Sequence, residues 1–430
     1  MMMLTPLIAL VALQGGLNDV SLLAKVVGVP TGKNGYEDYL RAADVAGSDL
    51  WGMYEQMMGY RISKLRAMTD PDVDLTLPPV APGTTLDSTD LGIRIAANDR
   101  LGGTFDIVTQ GNNKRVYDPR DGYTFETTFP EMARFKMLAK IGVNKAYVEF
   151  AEGKSTLAVR DLIEGLRFSR NIFDSVMIGG LVSIAMQSIF LAEFNRHLGQ
   201  LSLSDAQLID RTCQGLIDSP YPVREMLARE YRMTKSSLDQ VLDKPDEFLT
   251  EEQNKAVGAA LKGLSGPDRA QLKSFVTQAL EPRYKSISDK LSGPESGWPV
   301  SDMSADPLVS LEDKSVSNLA MLLITELQGK SMEHQYTKAM AKARIQLRLL
   351  QLHAKVIEYR WQNSFLPAKI EDFAGPKIAR DPFTGDVFHY ELKDGNYRLY
   401  STGVPGIGPI ELKYRMQPSG GGGEGTDRPL

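Results

Sequence analysis

A helix that is apolar around more than one of its faces cannot lie at a surface, and this chain carries such a helix near its end. Tyr336, Met340, Ala343, Leu347, Leu350, Ala354, Ile357 and Trp361 recur at spacings of 4-3-4-3-4-3-4, inside a segment whose pattern predicts a helix from Ser331 to Phe365. A second stripe, Leu349, Leu352, Val356 and Tyr359, runs beside the first. An apolar surface this wide must be covered by two partners. The preceding helices are expected to supply one and a small downstream sheet the other. The heptad spacing alone would also suit a coiled coil, but the second stripe argues against a simple dimeric seam.

Downstream, the chain turns at Leu366-Pro367 and again at Asp381-Pro382-Phe383-Thr384-Gly385. Pro382 suits the first central position of a turn, with Asp381 before it. Phe388, Tyr390 and Leu392 then alternate with polar neighbours, and Tyr397, Leu399 and Ser401 alternate on the way back. Lys393-Asp394-Gly395 forms the hairpin loop between them, with a glycine free to adopt positive φ. Residues 404–430 are rich in Gly and Pro and read as a flexible tail.

Upstream, most of the chain has helical periodicity. Asn34 to Met68 repeats apolar residues three and four apart, until the four prolines between Asp70 and Gly83 end the pattern. Leu91 to Thr127 is rich in Gly, Asn, Asp and Thr; its apolar pieces, Ile93-Arg94-Ile95 and Phe105-Asp106-Ile107-Val108, read as short strands. From Phe129 to Val241 the pattern is strongly helical. Two amphipathic segments flank Glu152-Gly153-Lys154 and predict an αα-hairpin, with Gly142 and Ala146 expected to cross against Ala158. Ser202 or Ser204 is the candidate cap of the next helix, which Pro220 and Pro222 end. Val223 to Val241 and Glu251 to Leu280 continue the helical pattern. The fold class that follows is mainly α, formally α+β. It is an array of antiparallel helical hairpins, repeat-like, with a long C-terminal helix followed by a small antiparallel β-hairpin. The segments are residues 1–16, a signal peptide; 17–127, N-terminal helices with a Pro/Gly-rich, partly extended stretch; 128–290, the helical-hairpin domain; 291–315, a linker; 316–403, the long helix and hairpin; and 404–430, the tail.

The composition fits a folded domain of ordinary polarity. The chain has 430 residues, 42% of them hydrophobic and 24% charged. Its 49 basic and 54 acidic residues are well mixed and give a net charge of −5, without the basic field that nucleic-acid binding requires. One cysteine, Cys213, excludes a disulfide framework or a cysteine-rich metal site, and it sits in a helical pattern as a small buried hydrophobe. Met1 to Leu17 is uncharged and matches the length of a signal-peptide core, although a basic n-region is missing. A second uncharged run, Ser175 to Ala192, contains Gly179, Gly180, Ser183, Gln187 and Ser188 and reads as a buried helix rather than a membrane span.

The order helix, Leu366-Pro367, Asp381-Pro382-Phe383-Thr384-Gly385, hairpin, and Tyr397-Arg398-Leu399-Tyr400-Ser401-Thr402-Gly403 resembles the C-terminal part of type II secretion major pseudopilins. It resembles still more closely bacterial exported proteins of uncharacterised function that append such an element to a helical region. Asn34-Gly35-Tyr36-Glu37-Asp38-Tyr39 and the Glu152-Gly153-Lys154 hairpin are similar to those proteins too. The hairpin also looks like a tetratricopeptide unit, without a 34-residue period. The resemblance implies an exported protein of the cell envelope. Two departures separate the chain from true pseudopilins. Its long helix is internal, with no prepilin-peptidase motif at the start. Residues 403–409 also lack the acidic side chains of a pseudopilin calcium loop, and only Glu411 lies near.

No catalytic, cofactor-binding or metal-ligating residue is assigned from the sequence. His197, His334, His353 and His389 show no paired helical spacing for zinc. Glu152-Gly153-Lys154-Ser155-Thr156 echoes the end of a phosphate-binding loop, but Val148 stands where its first glycine belongs. Asp70, Asp72 and Asp74 have calcium-loop spacing, but Leu75 occupies the glycine position. The expected role is therefore a non-enzymatic, exported scaffold or interaction protein of the cell envelope that binds a peptide or protein through its helical hairpins. No nucleic acid and no cofactor is expected, and membrane association only through an uncleaved N-terminus. The protein is cytoplasmic if Met1–Leu17 is not a signal. A secretion-system accessory protein is the first alternative. A hydrolase-type enzyme is the second, and it would need carboxylates such as Glu149, Glu152 and Asp161 gathered in one cleft.

Overall fold

The two stripes of the long helix dictate where it sits. In the computed structural model it runs from Met332 to Asn363 and is called α11 below. Leu347, Leu349, Leu350, Leu352, Ala354 and Val356 are all buried. One side packs on two earlier helices, α6 (Met177–His197) and α7 (Leu203–Asp218), and the other meets the C-terminal sheet. These are the two partners that the width of its apolar surface requires. The structure describes residues 21–47, 88–298, 315–328, 332–403 and 407–412, apart from single positions 121, 125, 174, 220, 250 and 394. The predicted helix beyond residue 47, the proline-rich segment to residue 83, the signal peptide and most of the tail lie outside them.

Among the described residues the fold is mainly helical, with one small antiparallel sheet. It begins with α1 (Leu22–Val27) and α2 (Gly35–Ala46). Asp44 of α2 accepts the Leu22 and Leu23 amides, at 2.7 and 3.1 Å, and so satisfies the open start of α1. Next comes α3 (Ser88–Asn112), where the sequence pattern suggested strands. Leu101, Phe105 and Val108 recur at helical spacing and are buried. Its glycines argue against a helix by propensity, but one of them marks close packing: a Cβ on Gly111 would lie 2.6 Å from the Tyr39 ring of α2. Tertiary contact outweighs propensity here.

The predicted hairpin is present as α4 (Pro130–Ala151) and α5 (Ser155–Asn171), with Gly153 at φ 74° in the turn. Its packing differs in one respect from expectation. Gly142 does not face Ala158; a Cβ there would stand 2.4 Å from Phe105, so this glycine admits α3. The glycine that lets α6 approach α5 is Gly165, where a Cβ would meet Phe190 at 2.1 Å. The apolar run at 175–192 forms most of α6, and 61% of its most apolar window is buried inside the protein. Ser202 caps α7 in a reciprocal box with Asp205.

Beyond α7 lie α8 (Val223–Asp243), α9 (Gly266–Ser292) and α10 (Val316–Gln328). The helix predicted from Glu251 to Leu280 is broken: short helical pieces end at Lys262, and Ser265 caps the new start of α9. Leu291 and Ser292, expected to open a linker, are instead the last turn of α9, with Leu291 buried.

The sheet has the order β1 (His389–Lys393), β2 (Asn396–Ser401), β3 (Ile410–Glu411), all antiparallel. Lys393 pairs with Asn396, and Gly395 in the loop has φ 71°. Strand β3 falls in the predicted tail; Ile410 and Leu412 are nevertheless buried. The apolar interior forms two clusters. One joins α1–α5, the later part of α6, α7, the C-terminal half of α11 and the sheet; the other joins the start of α6, α8–α10 and the N-terminal half of α11.

Candidate functional site

Lys145 and Glu149 are one helical turn apart and share a face of α4. The tight turn at Gly153 returns α5 alongside, which places Asp161 against that face. Asp106 of α3 closes the third side. Lys145 Nζ sits 2.7 Å from Asp106 and 2.8 Å from Asp161. The Asp161 side chain is 15% exposed and that of Asp106 is 61% exposed, so the group is partly open to solvent.

Three carboxylates surround one ammonium. Burial and the negative charge of Asp161 push Glu149 up to about 7, although Lys145 opposes the shift. Burial also raises Asp161, partly offset by its bond to Lys145. Burial alone would lower Lys145, but its bonds to Asp106 and Asp161 more than compensate and raise it. The arrangement holds a proton on the Glu149–Asp161 pair near neutral pH and keeps the lysine charged. Chemically it can exchange that proton as an acid or base, or attract a cation.

Of the three carboxylates named from the sequence, the structure brings Glu149 and Asp161 together and leaves Glu152 out. Glu152 lies on the exposed turn, 2.7 Å from Lys154. Among the described residues no three His, Cys, Asp or Glu side chains are grouped to hold a metal ion.

The histidines are dispersed. His197 stacks on Phe150 with ring centroids 3.9 Å apart and bonds Glu193 at 3.0 Å. His353 is fully buried on α11 between the Tyr397 hydroxyl and the Leu412 carbonyl, each 2.8 Å away. The carbonyl can only accept, so Nε2 carries the proton and Nδ1 accepts from Tyr397. Burial pulls this imidazole down to about 4. His389 is exposed and stacks on Tyr400, and His334 lies in the first turn of α11. Cys213 is buried, and burial holds its thiol well above the usual range, which makes it a poor nucleophile.

Several polar residues join elements in ways the sequence reading missed. Glu230 of α8 is buried and accepts the Met177 amide at 2.9 Å, the first residue of α6; burial raises it to about 7. Its position gave the available signal: it falls between Met226, Leu227 and Thr234 on the buried stripe of α8. Arg344 of α11 donates to the Leu216 and Ile217 carbonyls at the end of α7, at 3.4 and 3.0 Å. Asp381 accepts from Phe383 N at 2.8 Å and from the Ser401 hydroxyl, whose oxygen in turn accepts Gly403 N at 2.8 Å. The Asp-Pro turn and the Ser-Thr-Gly strand end are therefore one hydrogen-bonded clip.

Comparison with protein-family models, with characterised proteins and with solved structures finds no match to this chain.

Proposed function

We propose that the protein is an exported, non-enzymatic scaffold of the cell envelope that engages a peptide or protein partner through its helical hairpins. One observation carries this reading: Glu230, Arg344 and His353, buried polar groups of kinds that chemistry could use, each tie one element to another. Glu230 closes the start of α6, Arg344 closes the end of α7, and His353 pins α11 to the sheet. Such side chains fix the relative placement of helices, which is what a rigid presenting surface requires. On the outer side of the α4–α5 hairpin, Leu157 is 48% exposed and Arg160 is exposed beside it.

Site-specific photocrosslinking from Leu157 and Arg160 in cells tests the partner. A single discrete adduct is expected, and it should persist with Glu149→Gln and Asp161→Asn combined. Loss of the protein's cellular role in that double variant, with the adduct intact, would replace the scaffold with an enzyme. N-terminal sequencing of the native protein tests export, and an intact Met1 in the cytoplasm sinks it.

A second reading, docking on a pseudopilus, draws support from the Asp381–Ser401 clip. The residues that carry the pseudopilin resemblance fold as one unit against α11. A direct binding measurement with purified pseudopilin subunits separates the two; no binding removes this second reading.

A further inference from the structure

Among the described residues Arg94 has the largest fully buried side chain, at 0% exposure, and no carboxylate there pairs with it directly. It projects from α3 between α4 and α6. Its guanidinium lies over the Tyr147 ring, 4.1 Å from the centroid, and Nη1 reaches Asn144 Oδ1 only at 3.5 Å. The Asn144 amide is turned to the Arg94 carbonyl at 3.0 Å, which fixes the local backbone. Nε and Nη2 have no hydrogen-bond partner among the described residues. Glu193, the carboxylate whose field includes Arg94, has one oxygen on Arg196 at 2.8 Å and the other on His197 at 3.0 Å.

A guanidinium never deprotonates in a protein, so burial cannot be relieved by losing the charge. The field of Glu193 and the Tyr147 ring offset part of that burial, but neither supplies the hydrogen bonds that a buried guanidinium loses from water. The two unpartnered nitrogens are also not arbitrary. Nε and Nη2 share one edge of the guanidinium plane, the edge whose parallel N–H groups receive both oxygens of a carboxylate. We propose that Arg94 is the binding residue for a small monocarboxylate held between α3, α4 and α6, bidentate on that edge, with the Tyr147 ring covering the guanidinium face. Full burial restricts the ligand to a compact one, of formate or acetate size. This site is separate from the Lys145 cluster and does not depend on the scaffold reading.

Thermal unfolding of the full chain in acetate and in formate, each against sodium chloride at equal ionic strength, tests the proposal. In the wild type the midpoint should rise by about 2 °C for each tenfold of carboxylate above its Kd, and not with chloride. Arg94→Met keeps the length and removes the charge; Arg94→Lys keeps the charge and removes the fork. Both should abolish the carboxylate-specific rise, and Arg94→Lys decides the matter where Arg94→Met fails to fold. The proposal is overturned by equal shifts in chloride and carboxylate, by a rise that survives in Arg94→Lys, or by Arg94→Met being more stable than wild type in saturating acetate. It is also overturned if a short peptide with only a C-terminal carboxylate shifts the midpoint while formate and acetate do not.

Discussion

At the scale of single residues, two buried groups pull stability in opposite directions with pH. Glu230 is raised in the folded state from 4.5 to about 7, so the unfolded chain ionises more readily. Its contribution is complete below pH 4.5 and is lost as pH rises through 7. His353 is lowered from 6.5 to about 4, so the unfolded chain binds the proton more readily, and stability falls as pH drops from 6.5 towards 4. Each limb is worth at most about 3.5 kcal/mol at 1.4 kcal/mol per pKa unit. Between pH 4.5 and 6.5 the two slopes oppose each other and nearly cancel. Glu230→Gln should therefore leave a chain that loses stability on acidification and gains over wild type above pH 7. His353→Gln should remove the acid limb, leaving the slope that falls from pH 4.5 to 7, though the lost bonds lower stability throughout. Urea unfolding at steps of pH from 4 to 8 reads both. An unchanged pH profile in Glu230→Gln would show that its carboxyl titrates normally.

At the scale of elements, close approach and the C-terminal clip are the sensitive points. Gly165→Ala places a Cβ against Phe190 where α5 meets α6, and overpacking of this kind costs about 1–3 kcal/mol. Ser401→Ala removes the hydroxyl that bonds buried Asp381, and leaving that carboxylate short of a donor costs about 1–3 kcal/mol. Denaturant unfolding measures both, and an effect under about 0.5 kcal/mol in either case contradicts the packing described. The same elements show what can be read from sequence. The stripes of α11 were legible because eight apolar residues kept one period over seven turns. Helix α3 was hidden because Gly102, Gly103 and Gly111 lower helix propensity, and of these contact with α2 explains only Gly111. Strand β3 was hidden because two residues carry no period. Glu149 and Asp161 were visible as candidates, but their meeting depends on the register of the hairpin, which sequence spacing leaves open, and the same register carries Glu152 outward.

At the scale of the whole molecule, α11 belongs to both apolar clusters: Tyr336, Met340 and Ala343 lie in one, and Ile345 to Ile357 in the other. A chain ending at residue 330 should leave the α6–α7 surface uncovered, bind a hydrophobic dye and aggregate. A soluble, cooperatively unfolding fragment of that length would contradict this. The shared helix also sets an order of events during synthesis. Leu22 and Leu412 fall in one cluster, so its two ends are made almost an entire chain apart. Translation adds about 5–20 residues per second, so α7 waits on the order of 10 s for the part of α11 that covers it. During that interval the nascent chain carries a bare apolar groove. Such a groove is a natural target for a holding chaperone, and a polypeptide kept open in this way can still be threaded through a translocation channel.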